Sequence, residues 1–530
     1  MLELLIVIFE ANGKNLKFDT MLLIDTLTFV FAGAIRLFLF AQGWDNVLQR
    51  RIEMSTPANS YRNVLEGVDL INSGLEPYDG DSCHIQYHVL LCVRFLLGYG
   101  QLFVQILFVL GDLLTAYLLG HCARVSTHYL AGHYARKVHA GERVRAATAE
   151  IKPSPGGDDQ RLHEQLLQSL PSCARAANVQ RAVTLCYLFN PFCILSCVAQ
   201  TTTTLHNTML VAAIFCAMTV AGHTVKANIF GCVLALVVVA LAAADCVHLA
   251  ALVLVVAAWK CNIAEELARK KTKDDNNEQS LSNESERRNG LCWWFTVTLT
   301  EFAVLFGALI TGIRIAYGSW HFLGATYGFT FSVPDLQPNM GLFWYFFIEV
   351  FDHFRLFFTW VFQLNIAVYL LPLAVTMRAD AFLLLFELLV LISVFKPYPS
   401  LADTAVYLSM LPAFQHLFRF LPHTLTTCTA MIVPVILAPV MWSLWIDVGS
   451  ANANFFFAVT LFYNTAQIFL LTDFLYAYHS LEAACRYGIK PTFEAHDEHG
   501  SPVRTEYRVR FNKTIFGSWV KLPDREPHEG

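Results

Sequence analysis

Tyr327 to Phe358 reads YGFTFSVPDLQPNMGLFWYFFIEVFDHFRLFF. Aromatic and aliphatic residues fill this stretch, yet it also carries Asp335, Glu349, Asp352, His353 and Arg355. On a helix at 100° per residue, Tyr345, Glu349, Asp352, His353, Thr359 and Gln363 share one arc of roughly 120°. Arg355 lies outside that arc, and aromatic rings cover much of the remaining surface. Glu349 would sit about 12 Å along such a helix from Gly341, inside the hydrocarbon layer of a bilayer. Ionisable groups placed there are costly and face a cavity or a partner. The stripe suits a polar cavity and packing against another helix or subunit equally well. At i and i+4, Glu349 and His353 are spaced to share a proton.

The rest of the chain has the same apolar character. Its 530 residues are 55% hydrophobic and only 15% charged, against about 25% charged in soluble chains. The apolar residues come in long blocks such as FGCVLALVVVALAAA, Phe230–Ala244. Continuous runs of this kind predict membrane-spanning helices, whereas an outer-membrane barrel would alternate. The expected fold class is therefore an all-α polytopic membrane protein with about twelve transmembrane helices. The predicted spans are 21–42, 98–120, 182–201, 206–222, 227–242, 244–259, 291–316, 342–374, 380–396, 402–420, 425–446 and 454–479. The run 342–374 is too long for one straight crossing, so it should tilt, kink or begin in the interface. Segment 87–97, with Arg94, is too short to span and reads as an interfacial or re-entrant helix.

Basic residues set the orientation. Loops 121–181 and 260–290 are rich in Lys and Arg and read as cytosolic, largely flexible segments. With an uncleaved first helix and a cytosolic N-terminus, the tail 481–530 is also cytosolic. Segments 43–97, 317–341, 397–401 and 447–453 then fall on the luminal side of a membrane domain, 1–480. Stretch 270–289 is almost devoid of apolar residues and should be disordered. The sequons at Asn283 and Asn512 should stay unmodified on the cytosolic side. In the first luminal loop, Tyr61, Val64, Leu65, Val68 and Ile71 recur at helical spacing. They predict an amphipathic helix lying on the membrane or packed within the loop.

The net charge of −5 and the scattered 14 cysteines point to neither nucleic acid nor a disulfide framework. No metal or cofactor is expected. Two luminal turns carry the polar candidates. In Ser332–Asn339, Pro334 and Pro338 stiffen the chain, and Asp335 or Asn339 can cap the next helix. In Asp447–Asn454, just before Phe455, the amides of Asn452 and Asn454 suit sugar or phosphate oxygens, or simply a turn.

Four blocks together carry a family resemblance. They are the opening stretch, LFNPFCILSCVAQTTTTLHNTML (Leu188–Leu210), FKPYPSLADTAVYLSMLPAFQHLFRFL (Phe395–Leu421) and WSLWIDVGSANANFFFAVTLFYNTAQIFLLTDFLYAY (Trp442–Tyr478). In content, order and spacing they resemble the phosphatidylinositol-glycan class U family, the many-spanning subunit of the glycosylphosphatidylinositol (GPI) transamidase. The resemblance covers most of 180–480 and, more weakly, 48–120. It implies a C-type-glycosyltransferase-like bundle with interfacial helices in the first luminal loop, in the endoplasmic reticulum membrane. It implies a non-catalytic role, presenting the GPI lipid beside a cysteine-protease-like catalytic subunit and accessory membrane subunits. It places GPI contact at Asn452, Asn454, Phe455 and the Asp335–Asn339 turn. Trp344, Glu349, Asp352 and His353 would shape the lipid-facing cavity. Segments 130–176, 262–290 and 481–530 match nothing in the family.

Two other functions compete. An ER dolichyl-phosphate-mannose-dependent C-type mannosyltransferase would need a luminal carboxylate base, often with a metal. Glu53, Glu66, Asp69, Asp79 and Asp81 are available, and Asp79-Gly-Asp81 is formally a D-x-D pair. A transporter would draw on the intramembrane acids, but no inverted repeat is evident. No luminal loop is large enough for the Cys/His site that transamidation by a thiol requires.

Overall fold

The computed structural model describes residues 18–80, 82–148, 166–219, 225–274, 284–487, 492–496 and 502–506. Asp81, the sequon asparagines Asn283 and Asn512, and most of the tail lie outside these residues. Among the described residues, each of the predicted apolar runs is mainly helical. The main elements are α1 (Phe18–Ala41), α2 (Tyr61–Asn72), α3 (Tyr87–Leu97), α4 (Gln101–Thr148), α5 (Ala176–Leu188), α6 (Pro191–Val198), α7 (Thr202–Thr219) and α8 (Val225–Asp245). They continue with α9 (Leu252–Asp274), α10 (Glu284–Tyr317), α11 (Phe343–Glu349), α12 (Asp352–Thr376), α13 (Ala381–Phe395), α14 (Ala405–Met410), α15 (Thr424–Ile446) and α16 (Ala453–Tyr487). A short antiparallel hairpin, β1 (Thr492–His496) with β2 (Pro502–Glu506), follows.

Among the described residues, 7 helices are long and apolar enough to cross a membrane, or up to 8 if the bent pair α5–α6 is one span. The pair bends by 48°. Asn190 causes this locally: its side chain accepts from Phe192 N at 3.0 Å, and Pro191 occupies the first turn of α6. Four predicted spans (206–222, 227–242, 380–396 and 402–420) form shorter apolar helices of 10–17 residues. One of these, α13, is buried on every side from Ala381 to Val394. A helix that is apolar on nearly every side belongs in the middle of a bundle, and here Glu387 and Ser393 are buried with the rest.

One buried pair of opposite charges joins two helices of the bundle. Arg36 on α1 lies 2.6 Å from Asp112 on α4, and the two side chains are 0% and 1% exposed. Tyr187 donates to the other Asp112 oxygen at 2.9 Å, and Arg36 also donates to the carbonyls of Ala32 and Leu188. A fully hydrogen-bonded pair is the form in which buried charge is tolerated.

Helix α4 is 48 residues long, about 72 Å, so it extends far beyond a bilayer core. Its outer part packs on the outer part of α16. Gly141 permits this, because a Cβ there would meet Cys485 O at 2.4 Å. Lys137 also pairs with Glu482 there.

The predicted loop helix is α2. Its apolar face is not open: Tyr61, Val64 and Val68 are buried against Ile85, Val89, Leu90, Val93 and Phe108. Gly67 allows this contact, since a Cβ would fall 2.6 Å from Cys83 Sγ. Of the two readings of that helix, packing within the loop is the one adopted. Helix α3 is the short element expected over 87–97, and Arg94 donates to Asn72 Oδ1 at 2.8 Å.

Candidate functional site

The opening stretch does not form one helix. It folds as a turn, a short helix α11, a break at Val350 and Phe351 in extended conformation, and then the long helix α12. The expected kink is present, but it is a reversal. Phe346 and Phe362 rings lie 5.0 Å apart, whereas continuous helix would separate them by about 24 Å. Phe343 and Phe347 also contact Phe362, and Phe346 contacts Phe358. Burying this aromatic surface compensates for the backbone hydrogen bonds lost at the break.

The single polar arc is therefore corrected. Thr359 and Gln363 are buried, and Gln363 donates to Thr330 O at 2.9 Å. Glu349, Asp352 and His353 flank the break and are exposed. The His353 ring contacts Phe354, with centroids 4.2 Å apart, and not an acid. Arg355, outside the arc, holds the preceding turn by donating to Val333 O at 2.9 Å and Pro334 O at 3.3 Å. Val333 has φ 48, a left-handed conformation unfavourable for a β-branched residue and maintained only where its surroundings fix it.

Asp335 and Asn339 shape this turn. Asp335 Oδ1 accepts from Gln337 N at 3.0 Å, and its backbone oxygen accepts from Tyr398 at 2.9 Å. Asn339 is 1% exposed, accepts from Gly341 N at 2.8 Å and donates to Gln337 O at 3.1 Å. Gly341 presses on Pro399: a Cβ would lie 2.7 Å from its ring carbons. Asn464 on α16 donates to Met340 O at 2.8 Å. These two polar residues build the turn; Asn339 is buried, whereas Asp335 is half-buried.

The second turn meets the first. Helix α15 ends at Ile446, and Gly449 at φ 70 turns the chain two residues past its cap Asp447. Asn452 then caps α16, accepting from Asn454 N at 3.1 Å. Tyr345 on α11 donates to Asn454 Oδ1. Trp344, 1% exposed, packs among Trp445, Phe456 and Phe457 at centroid separations of 6.3, 6.1 and 5.9 Å. Trp442 closes the box against Trp445 and Phe456. The Trp344 indole N–H has no hydrogen-bond partner among the described residues. Phe455 is 56% exposed beside the two amides, with Val448 and Ile446 also outward.

The predicted residues thus divide. Asn452, Asn454, Phe455 and Trp344 come together with Tyr345. Asp335 and Asn339 support the same site from behind, and Glu349, Asp352 and His353 stand exposed at the α11–α12 break. The sequence reading placed Tyr345 in the polar stripe without its bond to Asn454, and assigned the Trp442–Trp445 pair no role. The i, i+3 spacing of those tryptophans was the available signal. Both Asn carbonyl oxygens are occupied within the chain, so the amides offer N–H donors. Donors beside exposed aromatic and aliphatic surface suit an amphiphile with an oxygen-rich head.

Among the described residues, the one group of three with metal-ligand geometry is Glu76, Asp79 and His321, whose ligand atoms lie within 4.8 Å of one another. All three are exposed, and Glu76 also accepts from Tyr317 at 2.6 Å.

Comparison with known proteins fits these features. The sequence model of the family described as "GPI transamidase subunit PIG-U" matches residues 30–463. The chain is 31% identical over 467 residues to the GPI-anchor transamidase component PIGU of Homo sapiens, covering 87% of this chain and 95% of that one. It is 32% identical to the Mus musculus protein over the same length. It is 38% identical over 164 residues to the GPI transamidase component GAB1 of Saccharomyces cerevisiae, 31% of this chain and 42% of that one. A family match over most of the chain, on a helical bundle with several membrane-crossing helices, places this protein in the PIG-U family of GPI transamidase subunits.

Proposed function

We propose that this chain is the non-catalytic, lipid-presenting subunit of a GPI transamidase in the endoplasmic reticulum membrane. The catalytic cysteine sits on another chain, and accessory membrane subunits complete the complex. The GPI lipid contacts the amides of Asn452 and Asn454, with Phe455 and the Trp344 box against its apolar part. The observation that carries this is the convergence of Tyr345, Asn452 and Asn454 from two distant segments on one surface beside exposed Phe455, with Trp344 buried behind it.

The predicted topology is supported by contacts at both ends of the bundle. Segments assigned to the lumen bond to one another: Asn59 to Ser400 at 3.3 Å, Leu401 to Glu53 at 2.9 Å, and Tyr398 to Asp335 at 2.9 Å. Segments assigned to the cytosol pair separately, with Arg136 by Glu266 and Arg378 by Glu265. These contacts support reading 43–97 as a luminal loop on the membrane domain, with 121–181 and 260–290 on the cytosolic side; the tail 481–530 is assigned to that same side by the proposal.

The test is photocrosslinking of a diazirine-bearing GPI analogue to the assembled complex. Labelling of α16 near Phe455, reduced by Asn452→Ala with Asn454→Ala, supports the proposal. Labelling of this chain that ignores both substitutions overturns the site.

A further inference from the structure

A small cavity lies on the side formed by the first luminal loop, between the start of α3, the start of α7 and the end of α8. Its lining includes Gln86, Thr202, His206 and Asp245, and it has room for one water-sized particle, about 10 Å³. Gln86 and Thr202 are 2% and 3% exposed, and the Asp245 side chain is 3% exposed. Gln86 Oε1, Thr202 Oγ1 and both Asp245 carboxylate oxygens make no hydrogen bond among the described residues. Burying such atoms without partners is expensive, and most so for a carboxylate.

The basic groups nearby leave Asp245 Oδ2 without a partner among the described residues. His88 Nε2 is 2.9 Å from Asp245 Oδ1, but neither His88 nitrogen makes a directed hydrogen bond. Lys396 is committed to Asp403 at 2.9 Å. His84, also on the lining, bonds Ala325 O through Nδ1 at 2.9 Å and stacks on Phe329. A water would satisfy lone pairs but leave the carboxylate charge buried. A carboxylate, an amide oxygen and a hydroxyl are hard oxygen donors, the set that binds alkali and alkaline-earth cations. One formal charge and one particle's volume favour the monovalent class.

We propose that this cavity is a site for a single small alkali cation. The ion bridges Gln86 of the first luminal loop, Thr202 of α7 and Asp245 of α8, and so ties that loop to the bundle. The site is separate from the amide and aromatic surface above, and its test does not depend on transamidation.

The experiment uses the full-length chain in lipid nanodiscs. Thermal unfolding is followed in NaCl, KCl and N-methyl-D-glucamine chloride at constant ionic strength. The expected result is a saturable rise of Tm with Na+ or K+, about 1 °C or more per tenfold concentration above the dissociation constant, relative to N-methyl-D-glucamine. Asp245→Asn should abolish the response. Should that variant fail to fold, Thr202→Val should lose the response while Thr202→Ser, which restores the oxygen, keeps it. Equal Tm in all three salts shows an ordered water in the cavity and overturns the proposal. So does a cation response that survives Asp245→Asn or Thr202→Val.

Discussion

The phenol of Tyr345 donates a hydrogen bond to Oδ1 of Asn454, 109 residues further along the chain. This contact ties the short helix α11 to the first turn of α16 and fixes which end of the Asn454 amide faces outward. A neutral hydrogen bond at a surface contributes about 0.5–1.5 kcal/mol. Tyr345→Phe and Asn454→Ala should each cost about that much. The double variant should cost little more than either alone, since both remove one bond. Thermal unfolding of the purified protein reads this. GPI attachment should fall further in Asn454→Ala than in Tyr345→Phe, because only the former removes the amide donor.

Gly341 sits where the first turn presses on Pro399. Ala at this position would clash with the proline ring, and neither the ring nor the neighbouring Asn339 oxygen at 2.8 Å has easy room to move. Gly341→Ala should destabilise by about 1–3 kcal/mol. It should also raise proteolytic cleavage within 333–341, whereas Gly307→Ala, which meets nothing within 4 Å, should be silent in limited proteolysis.

The Arg36–Asp112 pair gives a sign test for buried charge. Arg36→Ala leaves Asp112 unpaired and should cost about 3–5 kcal/mol. Replacing both, as Arg36→Met with Asp112→Leu, should recover most of that loss. Yields and Tm of detergent-solubilised protein would show whether the second substitution rescues the first.

Glu53, in the first loop, is held above the usual carboxylate range, chiefly by burial and against the opposing effect of its own backbone and Arg51. Its folded state therefore binds the proton more tightly than the unfolded chain. The linked stability is fully present below the unfolded value and is lost as pH rises through the folded one. Glu53→Gln should remove this dependence and leave the protein more stable than wild type at neutral pH. Tm measured from pH 4 to 8 should fall with rising pH more in wild type than in the variant.

The helical content was legible because apolar runs of sufficient length have few alternatives to helix in a bilayer. Which runs make full crossings was less legible, since α13 owes its burial to the helices around it and not to its own length. The reversal at Val350 and Phe351 left no local mark: neither residue is Gly or Pro, and the segment FFIEVFDHF reads as continuous helix. Ring packing of Phe346 on Phe362 and the grip of Arg355 on Val333 decide it, and both are tertiary. The same applies to the candidate site. Asn452 and Asn454 stood out as amides at a span mouth, but their junction with Tyr345 depends on a fold-back that local pattern does not encode. Asn339 looked like a ligand-facing amide and is instead spent on its own turn.

The most direct test of the proposed role uses cells lacking their own family member, complemented with this chain or with its Asn452→Ala, Asn454→Ala variant. GPI lipids and a GPI-anchored reporter are measured in the same cells. The account predicts that uncomplemented cells accumulate complete GPI lipid together with uncleaved reporter. It predicts that this chain clears both and that the variant clears them poorly. Accumulation of a GPI lipid lacking a mannose would contradict it and make this chain a glycosyltransferase.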